Sequence, residues 1–205
     1  MLVGQMSPRS YTGARRASPE SVDRVLDAAA RLIEDEGFHT ATMEELAAAA
    51  GVSRATVFNR FGSKLGVLQA LFQRSMEGPE MQAVQDALAI EDPVAALDAV
   101  IEAACSIWDA YGVVHLQLQA VGTLEPEATT LVEEQLEQQR SEIQDLIRRL
   151  ARAGRLRPGI SQTRAAATLH MLTSLESFLW LRRGYELSLR QTRETIAELA
   201  HALLR

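Results

Sequence analysis

Residues 42–64 constrain this chain more than any other stretch, because two consecutive helix starts can be recognised in them. Thr42 and Glu45 have the spacing of a capping box, in which a hydroxyl and a carboxylate satisfy free N–H groups of a first helical turn. Ser53 is a second candidate N-cap. Between them, Gly51 can adopt the positive φ that a tight turn requires. The sequence therefore predicts a helix-turn-helix.

The second of these helices has two unlike faces. Val57 and Phe61 lie on the side that would join a core together with Val52. An arginine, an amide and a small residue lie on the other side, near the helix N-terminus, where they suit base edges in a major groove. The cap, this outer face and its flanks carry the residues predicted to contact DNA on this helix: Ser53, Arg54, Ala55, Thr56, Phe58, Asn59 and Arg60.

The only lysine of the chain, Lys64, follows Ser63, a candidate cap of the next helix. A cation in a first helical turn opposes the helix dipole, and it becomes favourable when a phosphate binds there. We therefore expect Lys64 to bind a phosphate together with Thr42 and Arg60, while Arg54, Thr56 and Asn59 read or position bases. The alternative for the lysine is a solvated surface side chain.

A longer ordered set of residues extends this pattern on both sides: TMEELA at 42–47, AGVS at 50–53, TVF at 56–58, Phe61, Ser63, Lys64 and Leu68. In this order and spacing, residues 41–72 closely resemble the DNA-binding domain of TetR-type transcriptional regulators. The resemblance implies a homodimer that binds double-stranded operator DNA, usually as a repressor released by a small ligand. The family often has a tyrosine where this chain has Phe58, which keeps the ring and lacks the phosphate-binding hydroxyl. Asn59 occupies a position that varies with operator sequence.

Composition favours an all-helical fold. Hydrophobic residues make up 47% of the 205 residues and charged residues 23%, and Gly and Pro are few. No apolar run approaches the roughly 18 residues of a membrane-spanning helix, and the N-terminus does not have the pattern of a secretory signal. A single cysteine, Cys105, excludes an intrachain disulfide and fits a reducing cytoplasm. We expect a cytoplasmic protein with no membrane partner.

The net charge of −6 is unevenly distributed. Residues 1–76 contain nine Lys/Arg and eight Asp/Glu, a net charge of +1, whereas residues 77–205 contain twelve and nineteen, a net charge of −7. A DNA-binding surface needs only a local basic patch. The acidic total therefore does not exclude DNA binding by the N-terminal part.

Three segments are predicted along the chain. Residues 1–17 are polar and contain three arginines and no acid, which fits either an arm that reaches DNA or a disordered, solubilising leader. Residues 18–77 form the helix-turn-helix DNA-binding domain, with a first helix that begins at Ser18-Pro19 and ends at Gly37. Gly78-Pro79 is a break, after which residues 78–205 form an effector-binding and dimerisation domain.

Apolar spacing predicts further helices in this C-terminal part. Their expected ranges are 80–92, 93–111 with an interruption at Gly112, 113–121, 126–153, 161–183 and 188–204. The Glu/Gln/Arg-rich side of the helix over 126–153 is most simply a solvated face.

The helix over 161–183 is unusually apolar, and apolar residues on more than one of its faces suggest a partner helix. In the resembled family the last two long helices form a four-helix dimer bundle. A two-fold dimer would present two recognition helices about 34–36 Å apart to a pseudo-palindromic site. The predicted dimer-interface residues are Leu175, Phe178, Leu179, Ile196, Leu199 and Leu203.

The resemblance also implies an effector site among the C-terminal helices. Aromatic residues and a polar stripe on an otherwise apolar helix could orient a ligand there. The candidates are Trp108, Tyr111, His115, His170, Thr173, Ser174 and Ser177. For the aromatic residues the alternative is core packing, and for the histidines it is a core or surface position.

An enzymatic reading has little support. A carboxylate-bridged metal pair in a helical bundle needs two helical Glu-x-x-His motifs, and Glu198 with His201 supplies one. We expect no catalytic residues, no metal and no cofactor. The first alternative is a helix-turn-helix protein that binds DNA constitutively without a ligand. A helical-bundle metalloenzyme is a second alternative with much less support.

Overall fold

The computed structural model describes residues 19–37, 39–122 and 126–205, and within these ranges the secondary structure is helical apart from one isolated bridge between Leu156 and Leu204. The predicted all-α fold is therefore confirmed. The predicted N-terminal arm, residues 1–17, lies outside the described residues. The α-helices in chain order are α1 Pro19–Glu36, α2 Met43–Ala50, α3 Arg54–Phe61, α4 Lys64–Glu77, α5 Pro79–Ala89, α6 Pro93–Gly122, α7 Pro126–Arg152, α8 Gln162–Leu172, α9 Leu175–Leu179 and α10 Leu189–His201, with a π-helical turn Trp180–Gly184 after α9.

Helices α1 to α4 enclose an N-terminal core. Val57 of α3 and Leu68 and Leu71 of α4 are fully buried in it. This core also includes Val114 and Leu118 of α6, which lie beyond the predicted domain boundary at residue 77. The second half of α6 is therefore part of the support beneath the helix-turn-helix.

Helices α5 to α10 enclose a separate C-terminal core. Its largest buried side chains come from α6, α7, α8 and α10, and they are Leu97, Ile101, Leu146, Ile147, Leu150, Leu169 and Ile196. Because α6 contributes to both cores, it is the long helix that joins the two halves of the chain.

The predicted interruption at Gly112 is wrong, because α6 continues through this residue to Gly122. Gly112 is buried, and a Cβ built on it would lie 3.0 Å from Leu175 Cδ1. The glycine therefore allows α9 to approach α6 closely, and it does not end the helix.

The predicted single helix over 161–183 is also wrong, because the chain breaks at Thr173 and Ser174. The Thr173 hydroxyl donates to the Leu169 carbonyl over 2.9 Å, and Ser174 Oγ accepts the Ser177 N–H over 3.2 Å as the N-cap of α9. Hydroxyl side chains compete in this way with the backbone hydrogen bonds of a helix. The spacing of apolar residues does not reveal this competition.

Helix α4 begins almost in contact with the end of α3. A Cβ built on Gly66, in the first turn of α4, would lie only 1.9 Å from the Phe61 carbonyl oxygen. No side chain fits at that separation, so the position requires glycine for steric reasons. This contact sets how closely α4 packs against α3.

The other end of α4 is bonded to α6 by a buried polar pair. His115 Nε2 lies 3.0 Å from Ser75 Oγ, and the Ser75 hydroxyl donates to the Phe72 carbonyl over 2.7 Å. Ser75 therefore accepts from His115, which requires a proton on Nε2. Phe72 and Trp108 both pack edge-on against the imidazole, and burial lowers the pKa of His115 to about 4.

Replacement of Gly66 by alanine should destabilise the fold. Glycine to alanine inside a helix normally gains up to about 1 kcal/mol. Here the new Cβ would collide with the Phe61 carbonyl, so we expect a loss of roughly 1–3 kcal/mol in the free energy of unfolding, measured by chemical denaturation. Gln73→Ala, at an exposed position of the same helix, is the control and should change stability by less than about 0.5 kcal/mol. A Gly66→Ala protein at least as stable as the wild type would contradict the contact.

His115 should make stability fall in mild acid. The folded chain holds the imidazole neutral with a pKa of about 4, against 6.5 in its ordinary state, so the unfolded chain binds the proton more readily. The stability that His115 contributes is complete above pH 6.5 and is lost as the pH falls toward 4. Between pH 7 and pH 5 this should remove about 2 kcal/mol from the free energy of unfolding.

The measurement is denaturant unfolding at several pH values for the wild type and for His115→Gln, which removes the titrating group. The wild type should lose more stability than this variant over that interval. His39→Gln, at an exposed histidine, should keep the wild-type dependence. Equal pH dependence in the wild type and His115→Gln would show that the buried imidazole does not have the lowered pKa.

Candidate nucleic-acid interface and ligand cavity

The capping box predicted at the start of α2 is present. Glu45 N–H donates to Thr42 Oγ1 over 3.2 Å, and Glu45 Oε2 accepts the Thr42 N–H over 2.8 Å. The bonds from the Thr42 backbone and hydroxyl hold the pKa of the Glu45 carboxyl below its usual range. Gly51 has φ +64° at the end of α2, as the predicted turn requires.

Helix α3 begins at the predicted cap. Ser53 Oγ accepts the Thr56 N–H over 3.1 Å and lies 2.8 Å from Thr56 Oγ1. Val57 is fully buried beneath the helix, whereas the Phe58 ring on the other side is 57% exposed. An exposed aromatic ring on a polar helix face is not explained by the core of this chain, and it marks α3 as a candidate contact surface.

An ion pair that the sequence did not predict joins α2 to α3. Arg54 Nε lies 2.6 Å from Glu44 Oε1, and the two side chains are 66% and 62% exposed. Exposed pairs of this kind contribute about 1 kcal/mol or less. The contact therefore restrains the Arg54 side chain. It is made through Nε, and the guanidinium also carries two terminal nitrogens.

Lys64 lies at the junction of two elements. Its ammonium donates to the His39 carbonyl over 3.3 Å, while Ser63 caps α4 by accepting the Gly66 N–H over 3.0 Å. His39 precedes Thr42 in the loop between α1 and α2. The fold therefore brings Lys64 to the loop that carries Thr42, as a shared phosphate site would need.

The structure brings the predicted DNA-binding residues together on α3, its cap and the two adjoining helix starts. Two of them are partly buried, Thr56 and Lys64. The others are exposed, and they are Thr42, Ser53, Arg54, Ala55, Phe58, Asn59 and Arg60.

A cavity of about 260 Å³ lies between α4, α5, α6 and α7, with Thr173 at one end. Its walls are largely apolar, and α7 supplies several polar side chains. The lining residues are Met76, Met81, Val84, Gln85, Leu88, Val100, Ala104, Ile107, Trp108, Gln135, Gln138, Gln139, Glu142, Ile143, Leu146 and Thr173. A smaller space of about 50 Å³ shares the lining residues Trp108, Gln135 and Gln139 with it and is also lined by His115 and His170.

The predicted effector residues divide between these spaces. Trp108 and Thr173 line the larger cavity, and Trp108 Nε1 donates to the Thr173 carbonyl over 2.8 Å. Trp108, His115, His170 and Ser174 line the smaller space, which neither Tyr111 nor Ser177 reaches. Ser177 Oγ instead donates to the Met171 carbonyl over 2.5 Å.

Sequence reasoning missed the polar wall on α7. Gln135, Gln138, Gln139 and Glu142 line the cavity. Gln138 is exposed, as the predicted solvated face requires, whereas the other three are half-buried. Three glutamines and a glutamate within eight residues were the available signal. Amphipathic spacing cannot distinguish a face toward solvent from a face toward a cavity.

Four of the six predicted dimer-interface residues are buried inside the chain's own core, and they are Leu175, Phe178, Ile196 and Leu203. Leu179 is partly buried, and Leu199 is 52% exposed. Large apolar side chains that do face outward on these last helices and the turn between them are Met171, Trp180 and Tyr185. A partner subunit would therefore contact the exposed side chains of these helices, and not the four buried residues of the predicted interface.

The Glu-x-x-His motif of α10 does not assemble further ligands. His201 Nε2 lies 2.5 Å from Asp98 Oδ1, and within residues 19–37, 39–122 and 126–205 no three His, Cys, Asp or Glu side chains are grouped as a metal site. Burial raises the pKa of the Cys105 thiol to about 11, which makes it a poor nucleophile. Among the described helices, none is long and apolar enough to cross a membrane.

The fold and the capped helix pair together define a DNA-binding transcriptional regulator, and comparisons with known proteins agree. Residues 25–71 match the family model described as "Bacterial regulatory proteins, tetR family". The HTH-type transcriptional regulator TtgW of Pseudomonas putida is 36% identical over 95 residues, which cover 42% of this chain and 70% of TtgW. The chain belongs to the TetR family.

Other similarities cover a shorter part of the relative's sequence or concern the fold alone. The transcriptional activator FasR of Mycolicibacterium smegmatis is 37% identical over 65 residues, which cover 32% of this chain and 30% of FasR. The chain spans less than a third of the length of the first curated relatives that it matches. A putative transcriptional regulator from Saccharomonospora viridis, solved in complex with choline, superposes with a TM-score of 0.78 at 23% identity. That superposition covers 92% of this chain and all of the other.

Proposed function

We propose that the chain binds a pseudo-palindromic operator as a homodimer, represses transcription there and is released by a small-molecule effector. The observation that carries this proposal is the placement of α4. Its first turn packs against the end of recognition helix α3, and Met76 near its last turn lines the 260 Å³ cavity. One helix therefore connects the candidate DNA surface to the candidate ligand site.

Base recognition is assigned to the exposed face of α3. Asn59 can form paired hydrogen bonds with adenine, and Arg54 can do so with guanine. The Glu44 carboxylate holds Arg54 at its Nε, so the two terminal nitrogens remain for a base. Thr56 and Ala55 let the helix sit deep in the groove, and the exposed Phe58 ring can contact a thymine methyl group.

Phosphate binding is assigned to Thr42, Arg60 and Lys64, which flank that face. Ser63 caps α4, and Lys64 lies in the first turn, where the helix dipole favours an anion. Such contacts fix the protein on the duplex without reading sequence.

Dimerisation is assigned to the outward side of α8 and α10. Met171 and Leu199 are 58% and 52% exposed there, and a partner subunit packed on this side would cover both. A two-fold axis would place the same patch of each protomer against the other and space the recognition helices about 34–36 Å apart.

Release follows if the ligand favours a different position of α4. A molecule in the cavity contacts Met76, and α4 is bonded to α6 through Ser75 and His115. A shift of α4 is transmitted to α3 because Gly66 leaves no free space between them. The ligand needs to bind the shifted arrangement better than the DNA-bound one. The choline complex of the Saccharomonospora viridis protein supports a small-molecule site in this fold.

Selection of bound sequences from a random DNA pool tests the operator proposal. The wild type should enrich an inverted repeat with half-sites one helical turn apart or a multiple of it. Asn59→Ala should still enrich a repeat, with preference lost at one base pair per half-site, a discrimination of about 1–3 kcal/mol. Enrichment of no sequence by ligand-stripped protein, or of a single half-site only, would reject the dimeric reading. Unchanged affinity for the repeat with every ligand tested would favour constitutive binding.

Lys64→Ala should weaken binding to all sequences alike. Loss of one phosphate contact lowers the slope of log affinity against log salt by about 1 per protomer. The measurement is operator affinity at several salt concentrations. Lys64→Arg should keep most of the slope, and Arg152→Ala, which removes a charge from the exposed end of α7, should leave it unchanged. A Lys64→Ala slope equal to that of the wild type would remove the lysine from the phosphate site.

A further inference from the structure

The charge of the 260 Å³ cavity restricts what it can bind. Among its lining residues in the described chain there is one ionisable side chain, Glu142, and there is no Lys, Arg or His. The remaining polar groups are the amides of Gln85, Gln138 and other glutamines and the Thr173 hydroxyl. An anionic ligand would find no cation in this lining to balance its charge.

Glu142 is held in place by neighbouring amides. Gln85 Nε2 donates to its Oε1 over 3.1 Å, and Gln138 Nε2 donates to the same oxygen over 2.7 Å. Gln85 belongs to α5 and Gln138 to α7, so the carboxylate is positioned from two helices. Among the described residues, no donor is bonded to the second oxygen, Oε2, which leaves it for a ligand.

An aromatic side chain in the same lining suits a cation as well. Trp108 lines the cavity, and its Nε1–H is bonded to the Thr173 carbonyl, which fixes the indole in position. An indole face attracts a cation, more strongly when water is excluded. The methionine and aliphatic side chains of α4, α5 and α6 suit an apolar body.

We propose that the cavity binds an apolar monocation, such as an alkylamine or a quaternary ammonium compound, and that Glu142 selects for the positive charge. The proposal rests on the effector role of the cavity. Glu142 is half-buried and its two amide partners are exposed, so the Coulomb attraction of the carboxylate for a cation is moderately stronger than in water. A carboxylate or phosphate ligand would be repelled there and would lose its hydration without compensation.

Three probes with the same eight-carbon chain test this inference: octyltrimethylammonium, octanol and octanoate. Binding is followed through tryptophan fluorescence in a Trp180→Phe background, because the chain has two tryptophans and Trp180 is exposed outside the cavity. Isothermal titration calorimetry repeats the measurement without that substitution. We expect the ammonium probe to bind roughly fivefold to tenfold more tightly than octanol, and octanoate to bind most weakly.

Glu142→Gln should reduce affinity for the ammonium probe by a similar factor and raise affinity for octanoate, while octanol stays within about twofold. The matched control is Glu137→Gln. It makes the same change on the same helix, but its side chain is 68% exposed and pairs with Arg140. This control should keep the wild-type order of the three probes. A thermal unfolding curve for each variant verifies that it is folded.

Octanoate binding as tight as the ammonium probe would overturn the inference, and so would an unchanged order in Glu142→Gln. Failure of all three probes to bind would also overturn it. None of these outcomes bears on operator binding, which is measured separately without ligand. Conversely, ammonium binding that leaves the operator complex intact would support the charge selection and reject effector release.

Discussion

The close approach of α4 to the end of α3 is the constraint on which the rest of the structure depends. At Gly66 the two helices leave no room for a side chain, so the position of α3 is set by that of α4. The far end of α4 is in turn fixed by Ser75 and Phe72 against the buried His115 of α6. Because packed cores respond to a displaced neighbour by moving between discrete arrangements, such a helix can transmit a small change over its length.

Charge separates the two halves of the chain in a way that suits this arrangement. Residues 77–205 carry a net charge of −7, and they include the carboxylate that lines the cavity. In the proposed operator complex, that half would repel DNA, whereas the patch around α3 and Lys64 would face it. The same acidic surroundings favour cations near the cavity. The uneven distribution of charge therefore supports both proposals, operator binding through α3 and selection of a cationic ligand in the cavity.

Local chemistry made the helix-turn-helix predictable from the sequence. The caps at Thr42, Ser53 and Ser63 each satisfy a backbone N–H three residues later, so short sequence spacing was sufficient to place three helix starts. The break at Ser174 has the same local spacing, because its hydroxyl accepts the Ser177 N–H, but it lies inside an apolar stretch that periodicity extends through it. The continuation of α6 through Gly112 was not predictable from local spacing. Gly112 is tolerated because Leu175 packs on it, and that contact joins residues 63 positions apart. The α7 wall of the cavity depends in the same way on which helix packs opposite it.

The break that sequence periodicity missed is also what completes the cavity. In a continuous helix the Thr173 carbonyl would accept the N–H of Ser177. Here the Ser177 N–H is bonded to Ser174 Oγ, so the Thr173 carbonyl accepts Trp108 Nε1–H over 2.8 Å. The indole, which lines the same cavity as Glu142, is thereby fixed in position. A hydroxyl that ends one helix therefore positions an aromatic ring on another, and the lining of the candidate ligand cavity depends on that exchange of hydrogen bonds.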